Sequence, residues 1–522
     1  METKLIPTNV HPTGEPEIRG EAAPPPAALA VETFGGRVHV EWNPQAAVTP
    51  LGQLPFFIEF LKTAELFQPW VQECPLERRS PNAPANVDLL GTLLLSVLAG
   101  QRRYAHISAI RADGVNPELL GMSRVLSEDA VRRSFLGADA PACADWLQKH
   151  LQICYAPLLR EPWILDVDTT VKPLYGHQEG AVLGYNPQKP GRPSHTYHSY
   201  FIANLRLVLD VEVQAGNHTA ASYSRPGLWA LIERLGPDAR PAFIRGDCAW
   251  GNEGAMAEAE EHGVDYLFKL KQSPKVRRLI EQAFARQDWT DAGQGWQGVE
   301  DQLRLSGWTR ARRVIVLRRP VKAALALGKK SAPGQCELSF METIKPGEVF
   351  EYAVLVTSLF EAILTLAQHY RDRADAENNF DEIKNQWGWG GYTTHDLKRC
   401  AIMARVVALI YNWWSLFVRL AIPERHAEAI TSRPLLLHAI AKLTHHAGQS
   451  LLSVTSTHAR MSEIKRLLEG VNRLLGRLRE TAEQLSRGER WRWLLSVIFR
   501  NYLGGRLLSA SPLLENSVAT TP

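Results

Sequence analysis

Four residues in the C-terminal half of the chain have the types and spacing of a phosphate-handling site. They are Tyr370, Arg373, Glu377 and Lys384. Because an α-helix turns about 100° per residue, their side chains are expected within an arc of about 60° on one face of one helix, Tyr370–Lys384. A carboxylate there is a potential metal ligand, and the cations beside it suit phosphate oxygens. The stripe indicates phosphodiester chemistry, although a solvated polar helix face gives the same pattern.

Further carboxylates stand on predicted strands earlier in the chain. Asp166 and Asp168 alternate on the strand Trp163–Thr170, and Asp247 follows the strand Pro241–Gly246. Unpaired carboxylates pack poorly in a core, so these positions suit a site better than an interior. With the carboxylate of the helix they offer the oxygen ligands that Mg²⁺ prefers, and two such ions promote phosphoryl displacement. Asp166 and Asp168 face the same way, so either one could be the first metal ligand. Taken singly, each of these acids could also be a surface residue at a strand end or the cap of a helix.

Basic residues are concentrated in two segments, although the net charge of the whole chain is only +4. From Arg304 to Lys330 there are nine basic residues and no acidic one, and from Arg460 to Arg506 there are eleven basic and five acidic residues. Such patches suit a polyanion, and a solvated basic surface is the simpler alternative. The candidates for DNA binding in the first segment are Arg312, Arg313, Arg318 and Arg319.

Composition places the chain among globular proteins of two to four domains, with 45% hydrophobic and 22% charged residues in 522. The six cysteines form no CxxC pair, so we expect neither a zinc site nor a disulfide framework, as in a reducing cytoplasm. The N-terminus shows no signal pattern. Of the two longest apolar runs, Leu89–Ala99 is too short to span a bilayer and Ala401–Val418 contains Arg405 and Asn412, so both are predicted to be buried helices.

The order of predicted elements favours an α/β fold. Three strands followed by alternating helices and strands are typical of a ribonuclease H-like core, a mixed sheet flanked by helices. The predicted organisation is a disordered tail (1–40), a helical N-terminal DNA-binding region (41–160), the first part of the core (161–287), a β-rich insertion (288–357), the closing helices of the core (358–425) and a helical C-terminal region (426–522). In the second region Ser127 is the predicted N-cap of a helix.

These motifs resemble those of the DDE transposases of bacterial insertion sequences, a cut-and-paste class with a ribonuclease H-like fold and a β-strand insertion. The Tyr-x2-Arg-x3-Glu-x6-Lys signature of that class is matched without a gap by the four residues of the stripe. Its two aspartates match Asp168-Thr169-Thr170 and Arg245-Gly246-Asp247, and the segment Gly184–Ser194 also resembles one found in members of the class. The resemblance covers roughly residues 85 to 420.

The resemblance implies a two-metal nuclease and strand transferase. Asp168, Asp247 and Glu377 would bind two Mg²⁺ ions, for which Mn²⁺ substitutes. Hydrolysis of one strand at the transposon end would free a 3′-hydroxyl, which then attacks the opposite strand to form a hairpin and later attacks target DNA. Arg373 and Lys384 would grip phosphates, and Tyr370 would hydrogen-bond a phosphate beside them. The expected partners are the terminal inverted repeats, target DNA and a second copy of the chain in a synaptic homodimer, which acts in the cytoplasm and is associated with the nucleoid when bound to DNA.

The insertion contains Trp289, Trp296 and Trp308 beside its arginines. In the class that the chain resembles, an aromatic residue there stacks on a flipped base, whereas packing within the insertion is the alternative for each of these indoles. Two other functions are compatible with parts of the sequence. One is a catalytically silent DNA-binding regulator derived from a transposase, which would be marked by loss of a carboxylate. The other is a different hydrolase with paired acids, such as a glycosidase, which would not require the stripe or the basic insertion.

Overall fold

The computed structural model describes residues 29–508 except 44, 78–79, 81, 188, 323–341, 346–347 and 482–484. Residues 1–28 of the predicted tail, the end of the basic segment from Arg304 to Lys330, and residues 509–522 therefore lie outside the described residues. The described chain divides into a short unit that ends at Ala46 and a large unit that begins at Ala47.

The short unit contains a β-hairpin, which differs from the disorder predicted for residues 1–40. Strands β1 (Leu29–Thr33) and β2 (Gly36–Val40) pair in antiparallel register, with Thr33 opposite Gly36. Gly36 has a φ of 110°, a conformation that glycine adopts without steric cost. The local turn explains the hairpin, since Phe34 and Gly35 connect two alternating segments that composition alone assigned to the tail.

The large unit begins with strand β3 (Val48–Thr49) and a set of short helices. The α-helices are Leu54–Thr63, Phe67–Gln72, Asn86–Leu98, Asn116–Leu119, Glu128–Ser134 and Ala140–Tyr155. Short 3₁₀ helices span Tyr104–Ile110 and Ala156–Arg160. The predicted cap is confirmed, because the Ser127 hydroxyl accepts a hydrogen bond from the Ala130 amide at 3.3 Å.

A mixed sheet forms the centre of the fold. Its first five strands are β4 (Ile164–Pro173), β5 (Ser194–Ile202), β6 (Leu207–Ala215), β7 (Phe243–Gly246) and β8 (Asp265–Lys269). Their order is β6-β5-β4-β7-β8, with β4, β5 and β6 antiparallel and β7 and β8 parallel to β4. Helices Ala221–Leu235, Glu253–Glu261 and Pro274–Phe284 alternate with the later strands. This is the predicted ribonuclease H-like arrangement.

The β-rich segment after residue 288 extends this sheet. Its strands are β9 (Thr290–Gly293), β10 (Trp296–Leu303), β11 (Arg312–Lys322), β12 (Glu342–Lys345) and β13 (Glu348–Thr357). Strand β13 pairs with core strand β8 through Leu355, Val356 and Thr357. The insertion is thus continuous with the core through backbone hydrogen bonds, so its residues lie along the same sheet as the candidate carboxylates.

The apolar run after residue 400 forms a buried core helix, Leu397–Ala421. Among the described residues it is the one helix long and apolar enough to cross a membrane, and 94% of its apolar window is buried within the fold. Two of its polar residues, Arg405 and Asn412, bind to strand β6. Arg405 pairs with Asp210 at 2.7 Å, and the Asn412 amide both accepts from and donates to the Val208 backbone at 2.9 and 2.8 Å. Because Arg405 and Asn412 are hydrogen-bonded in this way, they can be accommodated in a buried helix.

The C-terminal region is not wholly helical, in contrast to the prediction. Between helices Ala429–Leu436 and Met461–Glu480 lie two antiparallel strands, β14 (Ile440–His446) and β15 (Gln449–Thr455), and a last helix spans Arg487–Ile498. Ala447 and Gly448 both have positive φ, at 49° and 74°, which is the requirement of a type I′ hairpin turn. The turn and the pairing of β14 with the distant β3 override the helical surroundings.

The described cysteines include free thiols and one disulfide-bonded residue. Cys143, Cys154 and Cys400 are free and buried, and Cys74 is buried as well. Cys248 is disulfide-bonded, which is an exception to the expectation that the chain has no disulfide framework.

Candidate active site

Asp168 and Asp247 lie beside each other because strands β4 and β7 are parallel neighbours. Val167 is paired with Gly246, and each aspartate is the next residue in the chain: Asp168 within β4 and Asp247 directly after the end of β7. Asp247 also closes a turn, since its carboxylate accepts a hydrogen bond from the Ala249 amide at 2.9 Å. Two acids separated by 79 positions in the sequence therefore meet at one edge of the sheet.

The signature residues belong to two consecutive helices, so the prediction of one continuous helix is wrong. Tyr370 lies in the last turn of Ile363–Arg371, and the other three residues lie on the signature helix, Arg373–Gln386. The junction is Asp372, whose ψ of −10° departs from regular α-helical geometry. Tyr370 is close enough to the site to feel its charges: burial raises the pKa of its hydroxyl most, Arg373 lowers it, and Asp247 and Glu377 raise it.

Arg373 links the carboxylates from the two parts of the chain. One guanidinium nitrogen, Nη1, lies 3.0 Å from Glu377 Oε1, and the other, Nη2, lies 3.3 Å from Asp168 Oδ1. Only 7% of the Arg373 side chain is exposed. Burial alone would lower the pKa of this guanidinium, but Tyr370, Asp168 and Asp247 raise it above its ordinary value. Arg373 is therefore a fixed cation among acids.

The surroundings raise the pKa of Asp168 to about 6. Burial is the largest cause, Arg373 opposes it, and the Asp247 and Glu377 charges add to it. Like-charged carboxylates thus converge at a partly buried edge, and a divalent cation would relieve their repulsion. Perturbed acids in a cleft are typical of functional sites.

The donor atoms fit a hard divalent cation, although the ligand set is not assembled. Within the described part of the chain, no three His, Cys, Asp or Glu side chains are grouped closely enough to hold an ion. Glu377 is directed to Arg373 and 68% of its side chain is exposed, so it changes rotamer without repacking a core. All three acids supply carboxylate oxygens, which suit Mg²⁺. Which of the acids hold metal remains a prediction.

Asp166, the alternative first ligand, is engaged inside the sheet. Its two carboxylate oxygens accept hydrogen bonds from Arg245 at 2.6 and 2.7 Å, and both residues are almost completely buried. Arg245 also donates to the carbonyl of His369, just before the signature helix. The pair therefore ties strands β4 and β7 to the helical layer, and its geometry supports Asp168 in the metal-binding proposal.

Replacing Asp166 with alanine is expected to lower the free energy of unfolding by about 3–5 kcal/mol, because Arg245 is left charged and unpaired in the interior. Urea unfolding followed by tryptophan fluorescence measures the loss. The double variant D166L/R245M removes both charges and is expected to recover part of it. The exposed Asp238→Ala is the control and should stay within about 0.5 kcal/mol of the wild type. A D166A protein of unchanged stability that cannot cleave DNA would assign Asp166 to the reaction instead.

The four arginines predicted to bind DNA have partners within the fold. Arg312 is 4% exposed and pairs with Glu253 at 2.6 Å and Glu260 at 2.8 Å. Arg313 pairs with Glu300 at 2.6 Å and Arg319 pairs with Glu351 at 2.7 Å. Their contact with DNA remains a prediction, and the exposed Arg319 is better placed for it than the buried Arg312.

The insertion tryptophans also contact these arginines. Three guanidinium groups lie over indole rings, and the distances from Cζ to the ring centroid are 3.8 Å for Arg318 and Trp289, 4.8 Å for Arg319 and Trp296, and 5.5 Å for Arg312 and Trp308. Trp308 is 6% exposed. These contacts favour packing within the insertion for Trp308, and stacking of any of the three on a base remains a prediction.

A cavity of about 720 Å³ opens beside the carboxylates and contains a lysine that sequence reasoning missed. Asp247, Lys384 and Lys269 line it. Lys269 is 7% exposed, and burial lowers its pKa while Glu351 and Glu377 oppose that effect. In the sequence, Lys269 is visible only as a lysine at the end of the apolar strand β8. The sequence pattern alone does not show that this end of the strand lies next to Asp247.

Two comparisons with known proteins give a match. A family model described as "Transposase DDE domain group 1" matches residues 64–475. Among solved structures, the chain is similar to one described as "Cryo-EM structure of piggyBac transposase synaptic complex with hairpin DNA", at 11% identity and a TM-score of 0.37, over 90% of this chain and 89% of that one. A similarity of that size adds no weight to the assignment. No curated protein sequence matches the chain.

Proposed function

The chain belongs to the transposase DDE domain group 1 family, and on that premise we propose that it excises and integrates an insertion sequence by hydrolysis and strand transfer at its DNA ends. The observation that carries the proposal is the meeting of Asp168 and Asp247 with Arg373 and Glu377 at one edge of the sheet. A DNA phosphate placed there would face carboxylates for metal and cations for its oxygens.

Asp168, Asp247 and Glu377 are the residues that would hold the divalent ions, Mg²⁺ with Mn²⁺ as a substitute. Bound there, the ions supply charge stabilisation at the attacking and leaving oxygens. Arg373 holds Asp168 and Glu377 in place and compensates their charge before the ions bind. Lys384, which lines the cavity beside Asp247, supplies a point charge for a phosphate, and Tyr370 supplies a hydroxyl beside it.

Both strands at the transposon end are then broken without a second active site. The 3′-hydroxyl released by the first hydrolysis attacks the opposite strand, which closes the transposon end as a hairpin and releases the flanking DNA. Hydrolysis of the hairpin frees the 3′-hydroxyl again, and this hydroxyl then attacks a phosphodiester of target DNA at the same site. Two copies of the chain in a synaptic homodimer would bring two ends together, in the cytoplasm with the nucleoid. Denaturing gels distinguish this route, since hairpin ends migrate as one long strand and open breaks as two separate strands.

The proposed function predicts Mg²⁺-dependent nicking of DNA that carries the inverted repeats flanking the gene. Purified full-length protein is expected to release a 3′-hydroxyl end with Mg²⁺ or Mn²⁺ and to give no product with EDTA, because the acids need cations to act on a phosphodiester. The control substrate has the same length and scrambled repeats. Binding of the correct ends without nicking in either metal would overturn the enzyme assignment and favour a DNA-binding regulator.

A further inference from the structure

A second cavity adjoins the candidate active site. It has a volume of about 600 Å³ and shares Thr170 and Lys384 with the cavity beside the carboxylates. Five cationic side chains line it, and no carboxylate is among the described residues that do so. They are Arg102, Arg103, Arg132, Lys172 and Lys384. We call this cavity the basic groove. Its continuity with the site through Lys384 makes it a candidate path for the same polyanion.

Most of these cations are not neutralised by the protein. In the part of the chain that the structure describes, Arg102, Arg103 and Lys172 form no ion pair, whereas Arg132 pairs with Asp129. Lys172 is half-buried, and its pKa is lowered to about 8, mainly by burial and in part by the charge of Arg103. Arg102 and Arg103 are exposed, so a polyanion that enters the groove can reach their charges.

The groove is a built feature, because close packing fixes the segment that carries Arg102. The Tyr392 hydroxyl donates to the Gln101 carbonyl at 3.0 Å. Gly391 lies so close that a Cβ there would stand 2.1 Å from the Arg102 carbonyl oxygen. Only glycine permits this approach, so the turn after the signature helix holds the N-terminal segment against the site.

Polar groups in the groove also lack partners. Tyr104 is 6% exposed, and neither its hydroxyl nor the side-chain oxygen of Gln178 has a hydrogen-bond partner in the described structure. Buried polar groups are rarely left unsatisfied unless a ligand or water meets them. Base edges offer such hydrogen bonds fully when the base is unpaired.

We propose that the basic groove binds unpaired DNA, namely the strand that continues beyond the phosphate held at the carboxylates. Its phosphates would lie along Arg102, Arg103 and Lys172, and a base edge would meet Tyr104 and Gln178. Its volume of about 600 Å³ lies within the range of small-ligand pockets, about 300–1,000 Å³, and is enough for a few nucleotides. This inference rests on the proposed function and adds to it a second contact surface, contributed by the N-terminal helical region.

Binding of a fluorescein-labelled oligothymidylate to the full-length protein tests the proposal by anisotropy. The triple variant R102Q/R103Q/K172Q is expected to bind it at least 10-fold more weakly than the wild type. The slope of log affinity against log salt should fall by about 0.7 for each lost phosphate contact on a single strand. Lys149→Gln removes an exposed cation already paired with Glu73 and is the matched control. Equal affinity of the triple variant and K149Q would overturn the proposal.

Photo-crosslinking covers the case in which the triple variant fails to fold. Wild-type protein is irradiated with an iododeoxyuridine-substituted single strand, and the crosslinked peptides are mapped by mass spectrometry. Crosslinks in peptides that contain Tyr104 or Gln178 support the groove, and crosslinks confined to other peptides overturn it. The two proposals fail separately. If the wild type binds the single strand through the groove but never nicks repeat DNA, the nuclease proposal is refuted. If the wild type nicks repeat DNA but the triple variant binds the single strand as tightly as the wild type does, the groove proposal is refuted.

Discussion

Asp168→Asn is expected to reduce DNA nicking by about 1,000-fold or more, because loss of a metal-binding carboxylate removes several kcal/mol of transition-state stabilisation and each 1.36 kcal/mol is tenfold in rate. The substitution keeps the size of the side chain and its ability to accept from Arg373, so the melting temperature should stay close to that of the wild type. Single-turnover nicking of repeat DNA with Mg²⁺ measures the effect.

The matched control for this variant is Asp238→Asn, which removes one exposed carboxylate from the surface. It should cleave at the wild-type rate. Nicking by D168N within a few-fold of the wild type would remove Asp168 from the proposed ligands. The contrast with Asp166 is informative. Replacing Asp166 is expected to lower the stability of the protein, whereas replacing Asp168 is expected to lower the nicking rate and leave the stability unchanged.

Arg373→Gln is expected to reduce nicking by about 10²–10³-fold, the size found when a preorganised charged or hydrogen-bonding group is removed from an enclosed site. The guanidinium bridges Asp168 and Glu377, so its removal leaves the two carboxylates without their shared partner. Arg373→Lys keeps the charge but has no planar fork to reach both acids, and it should recover only part of the rate.

A second measurement separates this role from a purely structural one. Without Arg373 the acids repel each other more strongly, so the melting temperature of R373Q should rise more on adding Mg²⁺ than that of the wild type. Arg234→Gln, an exposed position, is the control and should show the wild-type response. An equal response of R373Q and the wild type to Mg²⁺, with unchanged nicking, would contradict the bridging role.

Local sequence patterns predicted much of the core. The alternating segments around Asp168 and Asp247 form strands β4 and β7, and the parallel strands with intervening helices follow the predicted order. Patterns failed where a local turn decided the structure. The hairpins around Gly36 and Gly448 depend on one or two residues of positive φ, which overall composition does not show. The break at Asp372 is similarly a matter of one backbone angle.

The sequence by itself determined the chemistry that is available, because side-chain type and short spacing are local properties. Residue types and spacing identify Asp166 or Asp168, with Asp247 and Glu377, as candidate carboxylates, and Arg373 and Lys384 as candidate cations. The pairing of charged residues cannot be predicted in this way, since ion pairs join residues that are far apart in the chain.

Only the tertiary structure decided which charges are already engaged. It paired Asp166 with Arg245 and enclosed Arg312 between Glu253 and Glu260. It also placed Arg102, from the N-terminal helices, beside the signature helix. Burial makes an ion pair or an unpaired cation energetically distinct from the same residue in water, and burial is a property of the whole fold.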